Sequence, residues 1–360
     1  MSSKLKLVSI VGARPQFIKV AALSRAIDAS GFIDHWVIHT GQHYDYNMSK
    51  MFFDELSIPE PHLNLGLKSE LLDKMWLRLE DVLREEKPDW VVVYGDTVST
   101  LAGALAAVGN DIPVAHVEAG VRCFNVKVPE ETIRVNVDRM SSLLFAPTET
   151  AVKNLAAEGM TKGVYNVGDV MYDSFLYNRP GDPPPPHLLE PDDYYLATIH
   201  RTRNTDSDYL FLILEALRSL NQHIVLPLHP RTREAAERNG LSLEGLDITH
   251  PISYRAMLNF EMNAKLILTD SGGVQKEAYW WNVPCVVLRD ETEWPELVED
   301  GASKLAGPNT AAIRDVVEEF EADDCELPPG RQDIFGTGHA SEAIVETLLS
   351  TTLRPMAEGK

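Results

Sequence analysis

Short apolar segments alternate with longer amphipathic segments along most of the chain, and no other feature constrains its fold as strongly. Residues 6–12 (KLVSIVG) form a continuous β-branched run, and residues 16–30 that follow have the apolar spacing of a helix. The same pairing recurs at 89–96 (DWVVVYGD) and 97–110. Strands that alternate with helices build a parallel sheet with helices on both faces. Because such strands are buried on both sides, they lack polar alternation, as these runs do.

The alternation stops at residues 178–193, which include four consecutive prolines and are expected to form a stiff linker. It restarts beyond them, and a chain of 360 residues is long enough for two cores. We predict an N-terminal Rossmann-like domain at 1–177 and a C-terminal Rossmann-like domain at 194–339, facing each other across a cleft. A helix at 340–354 is predicted to pack back on the first domain.

The charge and cysteine content exclude several classes of protein. The formal net charge is −21 and no basic patch stands out, which argues against nucleic acid as a partner. The acidity fits either ordinary solubility or a salty cytosol, and we favour the second. No apolar run approaches the ~18–20 residues of a membrane span, and the three cysteines lack metal-ligand spacing. A cytoplasmic protein without a metal is expected, and the apolar start is interpreted as a strand, not a signal peptide.

Polar residues concentrate where the predicted strands end. Ligands of open α/β sheets bind beyond these carboxyl ends, so the residues there are candidates for a binding site. In the first half they are Gly12, Arg14, Lys19, Asp96, His116, Glu118 and Arg122; in the second half they are His200, Arg201, His229, Arg231, Arg233, Asp270 and Ser271.

The stretch 268–279 (LTDSGGVQKEAY) indicates a phosphate site at the start of a helix. Gly272 and Gly273 would let an anion approach the first backbone amides, where the helix dipole favours negative charge. Glu277 would repel phosphate and is better suited to a hydroxylated group such as a ribose. The alternative is that Ser271 is only an N-cap and the glycines only a turn. No P-loop ending and no GxGxxG after the first strand occurs, so a bound NAD is not expected.

Three carboxylates are candidates for acid–base catalysis: Asp96, Glu118 and Glu130. Each has a structural alternative. Asp96 would equally serve as the N-cap of the next helix, and Glu130 would complement a helix dipole. The strand-end histidines are open to the same doubt, since hydrogen-bonded structural histidines are common. No spacing typical of a zinc helix is present.

Taken in order, eleven motifs resemble the non-hydrolysing UDP-N-acetylglucosamine 2-epimerases over roughly residues 6–305. They are GARPQFIK, TGQHYD, YGDT, HVEAGVR, PEE…R, APTE, NVGD, TIHR, HPRTR, DSGG-Q-EA and RDETEWPE. The resemblance implies a GT-B-like fold, a homodimer, and inversion at carbon 2 of a UDP-2-acetamido sugar without a cofactor. UDP is first eliminated to give a 2-acetamidoglycal and is then added back.

The resemblance also implies roles for particular residues. Asp96, Glu118, Glu130 and His200 correspond to the family's catalytic residues. Those that correspond to substrate-binding residues, or that we assign to the substrate from their strand-end positions, are Arg14, Lys19, Arg122, His229, Arg231, Ser271, Gly272, Gly273, Glu277 and Arg289. Gln42 and His43 match a region used for allosteric activation in some relatives.

Four positions depart from the common family pattern: Gln16, Arg203, Ile133 and Trp294. Trp294 stands where the family has an arginine that approaches UDP, and Arg289 or stacking by Trp294 is expected to compensate. Several segments are closer to a subgroup that acts on UDP-2,3-diacetamido-2,3-dideoxyglucuronic acid, whose carboxylate would suit Arg203. UDP-N-acetylglucosamine is the first substrate hypothesis and the uronic acid the second; a glycosyltransferase or a hydrolysing epimerase is a more distant alternative.

Overall fold

The computed structural model describes residues 4–42, 50–67, 71–180, 194–322, 327 and 332–353. The chain forms two compact units: unit 1 comprises Met1–Asn178 and Asp333–Lys360, and unit 2 comprises Arg179–Gln332. Most of the predicted proline linker, and His43, lie outside the described residues.

Unit 1 contains a sheet whose seven described strands are all parallel, in the order β3-β2-β1-β4-β5-β6-β7. Helices separate the strands, so the predicted doubly wound fold is confirmed. The strands are β1 (Leu5–Val11), β2 (Ile33–His39), β3 (Leu63–Asn64), β4 (Trp90–Tyr94), β5 (Val114–Val117), β6 (Leu143–Ala146) and β7 (Val164–Asn166). The helices are α1 (Arg14–Ser30), α2 (Lys50–Glu55), α3 (Leu72–Glu86), α4 (Val98–Gly109), α5 (Pro129–Met140), α6 (Glu149–Ala157) and α7 (Val170–Asn178).

Unit 2 repeats the architecture with six described strands, again all parallel, in the order β10-β9-β8-β11-β12-β13. The strands are β8 (Tyr195–Thr198), β9 (Ile224–Pro227), β10 (Asp247–Thr249), β11 (Leu266–Thr269), β12 (Cys285–Val287) and β13 (Ser303–Leu305). The helices are α8 (Ser207–Ser219), α9 (Pro230–Arg238), α10 (Tyr254–Met262), α11 (Gly272–Trp281), α12 (Pro295–Glu299) and α13 (Thr310–Glu321).

The strand order reverses between β1 and β4 in unit 1 and between β8 and β11 in unit 2. These are the topological switch points, where connections leave in opposite directions and open a crevice at the carboxyl ends of the strands. The core behind the crevice of unit 1 is tightly packed. A Cβ on Gly103 of α4 would lie only 2.9 Å from the Ile10 side chain, so this glycine lets the helix approach the sheet closely.

The last helix, α14 (Ala340–Leu353), packs against α1 and α7 of unit 1. Its first turn is capped from outside, because the amides of Ala340 and Ser341 donate to the Asp173 carboxylate at 3.1 and 2.7 Å. A carboxylate is favourable there because the helix dipole is positive at its N-terminus. None of the helices that the structure describes is both long and apolar enough to cross a bilayer.

Two histidines of β2 should make the fold sensitive to acid. Burial, with a smaller effect of nearby His62, lowers the pKa of His35 to about 4, and burial lowers the pKa of His39 to about 4. An exposed histidine has a pKa of ~6.5, so between pH ~6.5 and 4 the unfolded chain binds protons at these histidines and the folded chain does not. The stability that these groups contribute is complete above pH ~6.5 and is lost as the pH falls towards 4, by up to ~3 kcal/mol per site.

Urea unfolding measured between about pH 7.5 and 4.5 checks this expectation. His35→Gln keeps a nitrogen near Ser9 Oγ, which lies 2.9 Å from His35 Nε2, but it does not titrate. The variant should lose less stability on acidification than the natural chain does. Equal losses in the two proteins would contradict the assignment to His35.

Candidate active site

Two carboxylates of unit 1 meet where β4 and β5 end. These strands are parallel neighbours; Gly95 and Asp96 follow β4, and Glu118 follows β5. A Cβ on Gly95 would lie 3.2 Å from Glu118 Oε1, which places that carboxylate directly beside the residue before Asp96. The same point lies 3.0 Å from Lys19 Nζ. The strand ends therefore gather acidic and basic groups into one small region.

Glu118 is held in an unusual conformation. Its φ of 73° is left-handed, which costs energy for a residue with a side chain and persists only where the surroundings hold it. Its amide donates to Phe145 O at 3.1 Å, and its carboxylate lies 2.6 Å from Lys19 Nζ. Lys19 was expected to approach the nucleotide phosphates; in the structure it neutralises Glu118 instead. Its phosphate contact stays a prediction.

Asp96 is not the N-cap of α4. That position is taken by Thr97, whose side chain accepts a hydrogen bond from Thr100 N, so the structural alternative considered for Asp96 is wrong. The Asp96 carboxylate instead forms an ion pair with Arg134 of α5. Arg134 also lies 3.2 Å from Glu131 Oε2, so one guanidinium orients two carboxylates.

The two adjacent acids at the start of α5 have different surroundings. Glu130, the sequence-based choice, is half-buried. Glu131 is buried, and its carboxylate accepts the amides of Cys123 and Phe124 at 3.0 and 2.9 Å, which holds the loop before α5. The sequence does not separate these neighbours, because successive helical residues point about 100° apart and either can face inward.

Arg122 lies beneath this edge and is 2% exposed. Its guanidinium contacts Glu158 through two hydrogen bonds of 2.7 and 3.1 Å, and it lies 2.7 Å from Asp138. The contact with substrate assigned to Arg122 stays a prediction. Its contacts with Glu158 and Asp138 indicate that Arg122 holds the loop after β5 in place.

In unit 2 a buried carboxylate organises the end of β8. Asp270 is 0% exposed and accepts the amides of His200 and Arg201, and it lies 3.1 Å from His200 Nδ1. Burial alone would raise the pKa of Asp270, but the His200 charge and these hydrogen bonds outweigh it and lower the pKa. Because Asp270 engages Nδ1, Nε2 is the His200 nitrogen available to a ligand. Asn204 Nδ2 donates to the same carboxylate at 3.2 Å.

Two other residues selected from the sequence surround His200. The rings of His200 and His229 lie 5.6 Å apart, and His229 caps α9 by accepting the Arg231 amide. Arg231 Nη1 donates to His200 O at 3.1 Å. The structure therefore brings His200, His229 and Arg231 together at one edge of the sheet.

Helix α11 begins where the sequence predicts. Ser271 is its N-cap, with Val274 N 3.4 Å from Ser271 Oγ, and Gly272 and Gly273 form the first turn of the helix itself. The capping role of Ser271 is confirmed, and the phosphate site stays a prediction. Capping does not compete with an anion site, because a cap satisfies only one of the first amides. A Cβ on Gly272 would lie 3.2 Å from the Trp294 indole nitrogen, so Trp294 lies beside the first residue of the helix.

Lys276 of α11 brings a cation close to the same helix start, since its Nζ lies 4.2 Å from the centre of the Trp294 ring. Glu277, the next residue, is buried. Trp294 thus stacks on a cation at the position where the family pattern has an arginine.

Two further arginines are engaged by neighbouring acids. Arg289 is buried and contacts Glu293 through two bonds of 2.7 and 3.1 Å. Arg203 lies 2.6 Å from Asp290, with 45% of its side chain exposed. The assignment of Arg289 to the substrate stays a prediction. In unit 1, Arg14 lies over the ring of Phe52 at 5.8 Å.

Metal-ligating side chains do not gather at either edge. Among the residues that the structure describes, no group of three or more His, Cys, Asp and Glu side chains is arranged to hold a metal ion.

Two doubly wound parallel-sheet domains in one chain, each with polar residues at its switch point, define a GT-B-like protein. The chain belongs to the UDP-N-acetylglucosamine 2-epimerase family, whose model matches residues 25–349. It is 46% identical to a UDP-N-acetylglucosamine 2-epimerase homolog of Methanococcus maripaludis, over 96% of this chain and 99% of that protein. It is 45% identical to the UDP-2,3-diacetamido-2,3-dideoxy-D-glucuronate 2-epimerase of Pseudomonas aeruginosa, with the same coverage.

The chain is also similar to a solved structure. The UDP-GlcNAc 2-epimerase of Methanocaldococcus jannaschii, crystallised in complex with UDP-GlcNAc and UDP, has a TM-score of 0.88 and 40% identity. The match covers 96% of this chain and 99% of that one.

Proposed function

We propose that the chain is an isomerase that interconverts UDP-N-acetylglucosamine and UDP-N-acetylmannosamine by inverting carbon 2 of the sugar. Family membership and the similar enzymes support this function. The observation that carries it is the placement of Asp96 and Glu118 at adjoining strand ends, each carboxylate paired with a cation. Such an arrangement suits proton transfer in a fixed geometry.

The chemistry explains why two acid–base groups are needed. Carbon 2 lies next to an acetal carbon and not a carbonyl, so its proton is not acidic and direct exchange would be slow. In the proposed reaction a base removes this proton while the bond between carbon 1 and the UDP oxygen breaks, and its electron pair leaves with UDP. The resulting 2-acetamidoglycal takes UDP back at carbon 1 and a proton at the opposite face of carbon 2. The sugar is neither oxidised nor reduced overall.

We assign the proton transfers at carbon 2 to Asp96, Glu118 and Glu130. Glu118 is favoured for the first of them because its backbone is strained and its carboxylate is fixed by Lys19. His200 stabilises or protonates the leaving phosphate, and Asp270 orients it through Nδ1.

The nucleotide is assigned to unit 2. The amides of Gly272 and Gly273 at the start of α11 bind the phosphates, with Ser271 beside them and Glu277 at the ribose. Arg231 and His229, adjacent to His200, add donors for the diphosphate. Trp294 with Lys276 takes the place of the arginine in the family pattern.

A uronic acid substrate is the second candidate, supported by the similarity to the P. aeruginosa enzyme. The structure gives it less support than the sequence did. Arg203, the cation expected to receive a sugar carboxylate, is already paired with Asp290 at 2.6 Å. Displacing so exposed a partner would cost no more than ~1 kcal/mol, so the neutral sugar is placed first because of the similar solved enzyme that binds UDP-GlcNAc.

Product analysis by NMR tests the proposal. The purified protein should convert UDP-N-acetylglucosamine or UDP-N-acetylmannosamine into the same mixture of both, with UDP still attached. Release of free N-acetylmannosamine and UDP would show a hydrolysing enzyme. If the protein converts UDP-2,3-diacetamido-2,3-dideoxyglucuronic acid but not UDP-N-acetylglucosamine, the second candidate replaces the proposed substrate.

We further propose that the enzyme works as a cytoplasmic homodimer adapted to high salt. Exposed apolar side chains on α3 and α4, Trp76, Leu77 and Val108, are 37%, 57% and 46% exposed and are the residues that we propose a second copy would cover. The buried thiols of Cys123 and Cys285 suit a reducing compartment. Light scattering across a KCl series checks the dimer and its dependence on salt, and the mass of a single chain at every concentration would contradict the dimer.

A further inference from the structure

Both ring nitrogens of the buried His116 lie against hydrogen-bond acceptors. Nδ1 is 2.7 Å from Asp138 Oδ1, and Nε2 is 2.8 Å from the carbonyl oxygen of Gly95. A carbonyl oxygen accepts only, and so does an ionised carboxylate. Asp138 is ionised, because its other oxygen accepts the Gly120 amide at 3.1 Å and lies 2.7 Å from the Arg122 guanidinium. The hydrogen-bond pattern therefore requires a proton on each nitrogen of His116.

His116 lies in a network of charged side chains. Asp138 Oδ2 lies 2.7 Å from Arg122 Nη2, and Arg122 Nε lies 2.7 Å from Glu158 Oε1. The side chains of His116 and Asp138 are 0% exposed and that of Arg122 is 1% exposed, whereas that of Glu158 is 23% exposed. Arg122 therefore joins the buried Asp138 to a carboxylate that reaches solvent. The protonation of His116 rests on the two acceptors that its ring nitrogens face.

The network reaches both turns that carry the proposed catalytic carboxylates. His116 holds the carbonyl of Gly95, and Asp96 is the next residue. Asp138 Oδ2 accepts the Gly120 amide at 3.1 Å, two residues after Glu118. Gly95, Glu118 and Gly120 have φ angles of 62°, 73° and 79°, so both turns are left-handed. Glycine adopts this region readily, whereas at Glu118 it costs energy, so the turn after β5 is the one that depends on its surroundings to hold it.

We propose that His116 is maintained as an imidazolium and acts as a positioning residue for Asp96 and Glu118. This inference rests on the proposed function. His116 acts through the backbone of Gly95 and through Asp138. The proposed contact with the reacting sugar is made by the carboxylates of Asp96 and Glu118 and not by His116. The charged groups of the network and of the adjoining strand ends are Asp138 on α5, Glu158 after α6, Arg122 and Glu118 after β5, Asp96 after β4 and Lys19 on α1.

Nitrogen NMR of the full-length protein labelled with ¹⁵N-histidine reads the protonation directly. At about pH 7.5 the His116 ring should show two protonated nitrogens, because each nitrogen faces an acceptor. The His116 resonances are assigned by their absence from the spectrum of His116→Gln. Asp138→Asn is a second assignment variant, because it should shift these resonances. A ring with one protonated and one bare nitrogen would overturn the inference.

Kinetics separate positioning from simple stability. His116→Gln keeps a donor for only one of the two acceptors, so it should lower kcat about 10²-fold with little change in KM, because small displacements of catalytic groups cost this much. The matched control is His35→Gln, a buried ring of the same sheet that contacts Ser9. It should lower stability while kcat is unchanged. Equal kcat values for His116→Gln and the natural chain, at temperatures where both are folded, would overturn the positioning role.

Asp138→Asn provides the second variant if His116→Gln folds poorly, and its kcat should fall with KM retained. An unchanged kcat there would also overturn the inference. If the natural chain does not epimerise UDP-sugars, the proposed function fails. The NMR measurement then still decides the protonation of His116, so the two failures are distinguishable.

Discussion

Replacing Glu118 with glutamine is expected to lower kcat for epimerisation by about 10²–10⁴-fold, the usual contribution of a positioned acid–base group. Glutamine has nearly the same shape and can still accept a hydrogen bond from Lys19, whose Nζ lies 2.6 Å from Glu118 Oε1. It cannot take up the carbon 2 proton. The loss should therefore appear in kcat much more than in KM.

Turnover in D₂O gives the second measurement for this prediction. The natural enzyme should place deuterium at carbon 2 in step with epimerisation, and Glu118→Gln should slow both together. Product without deuterium would contradict proton exchange with solvent at carbon 2. Full turnover by Glu118→Gln would remove Glu118 from the mechanism.

A second lysine–glutamate pair in unit 1 supplies the control for Glu118→Gln. Lys6 and Glu86 lie 2.7 Å apart, but their side chains are 25% and 30% exposed and lie away from the strand ends that carry the carboxylates. Glu86→Gln makes the same chemical change in a surface pair, which is expected to cost no more than ~1 kcal/mol of stability. Its kcat should equal that of the natural chain.

Asp270→Asn is expected to cost both activity and stability. The carboxylate is buried and accepts the amides of His200 and Arg201 as well as a bond from Asn204. An amide in its place turns one acceptor into a donor that faces other donors. Because it leaves a buried backbone amide without its acceptor, we expect a loss of about 1–3 kcal/mol in the free energy of unfolding. We also expect a fall in kcat of about 10²-fold as His200 loses its orientation.

An exposed histidine–aspartate pair of the same unit is the matched control. His223 Nε2 lies 3.1 Å from Asp247 Oδ2, and the two side chains are 40% and 49% exposed. Asp247→Asn should change the free energy of unfolding by less than ~1 kcal/mol and leave kcat unaltered. Urea unfolding and initial rates measure both variants. A kcat for Asp270→Asn as high as that of Asp247→Asn would show that Asp270 has no role in orienting His200.

The elements of the fold follow closely from local patterns. The predicted strand at 89–96 contains β4, and the predicted helix at 97–110 contains α4. A β-branched run and an amphipathic repeat are properties of a few neighbouring residues, so they can be recognised without knowledge of the rest of the chain. The helix start at Ser271 is equally local, since a capping residue and the amides that it leaves exposed lie within one turn.

The partners of the charged residues were not predictable in the same way. Lys19 and Glu118 are separated by 99 residues, and Asp96 and Arg134 by 38. The motifs predicted that Lys19 binds phosphate and that Asp96 is either a catalyst or an N-cap. Arg134 was only the last residue of the motif PEE…R and was given no role. The choice between Glu130 and Glu131 also had no local signal. Each of these assignments depends on which side chains the folded sheet brings within reach.

The amino-acid sequence was therefore sufficient for the alternation of strands and helices and for the family, and it selected the polar residues at the strand ends as candidates for the site. The pairing of charges emerged only with the sheet order, which brings the ends of β1, β4 and β5 together at one switch point. The physical reason is that hydrophobic patterning acts over a few residues and is repeated in every element. An ion pair depends on a separation of a few ångströms between residues that are far apart in the chain.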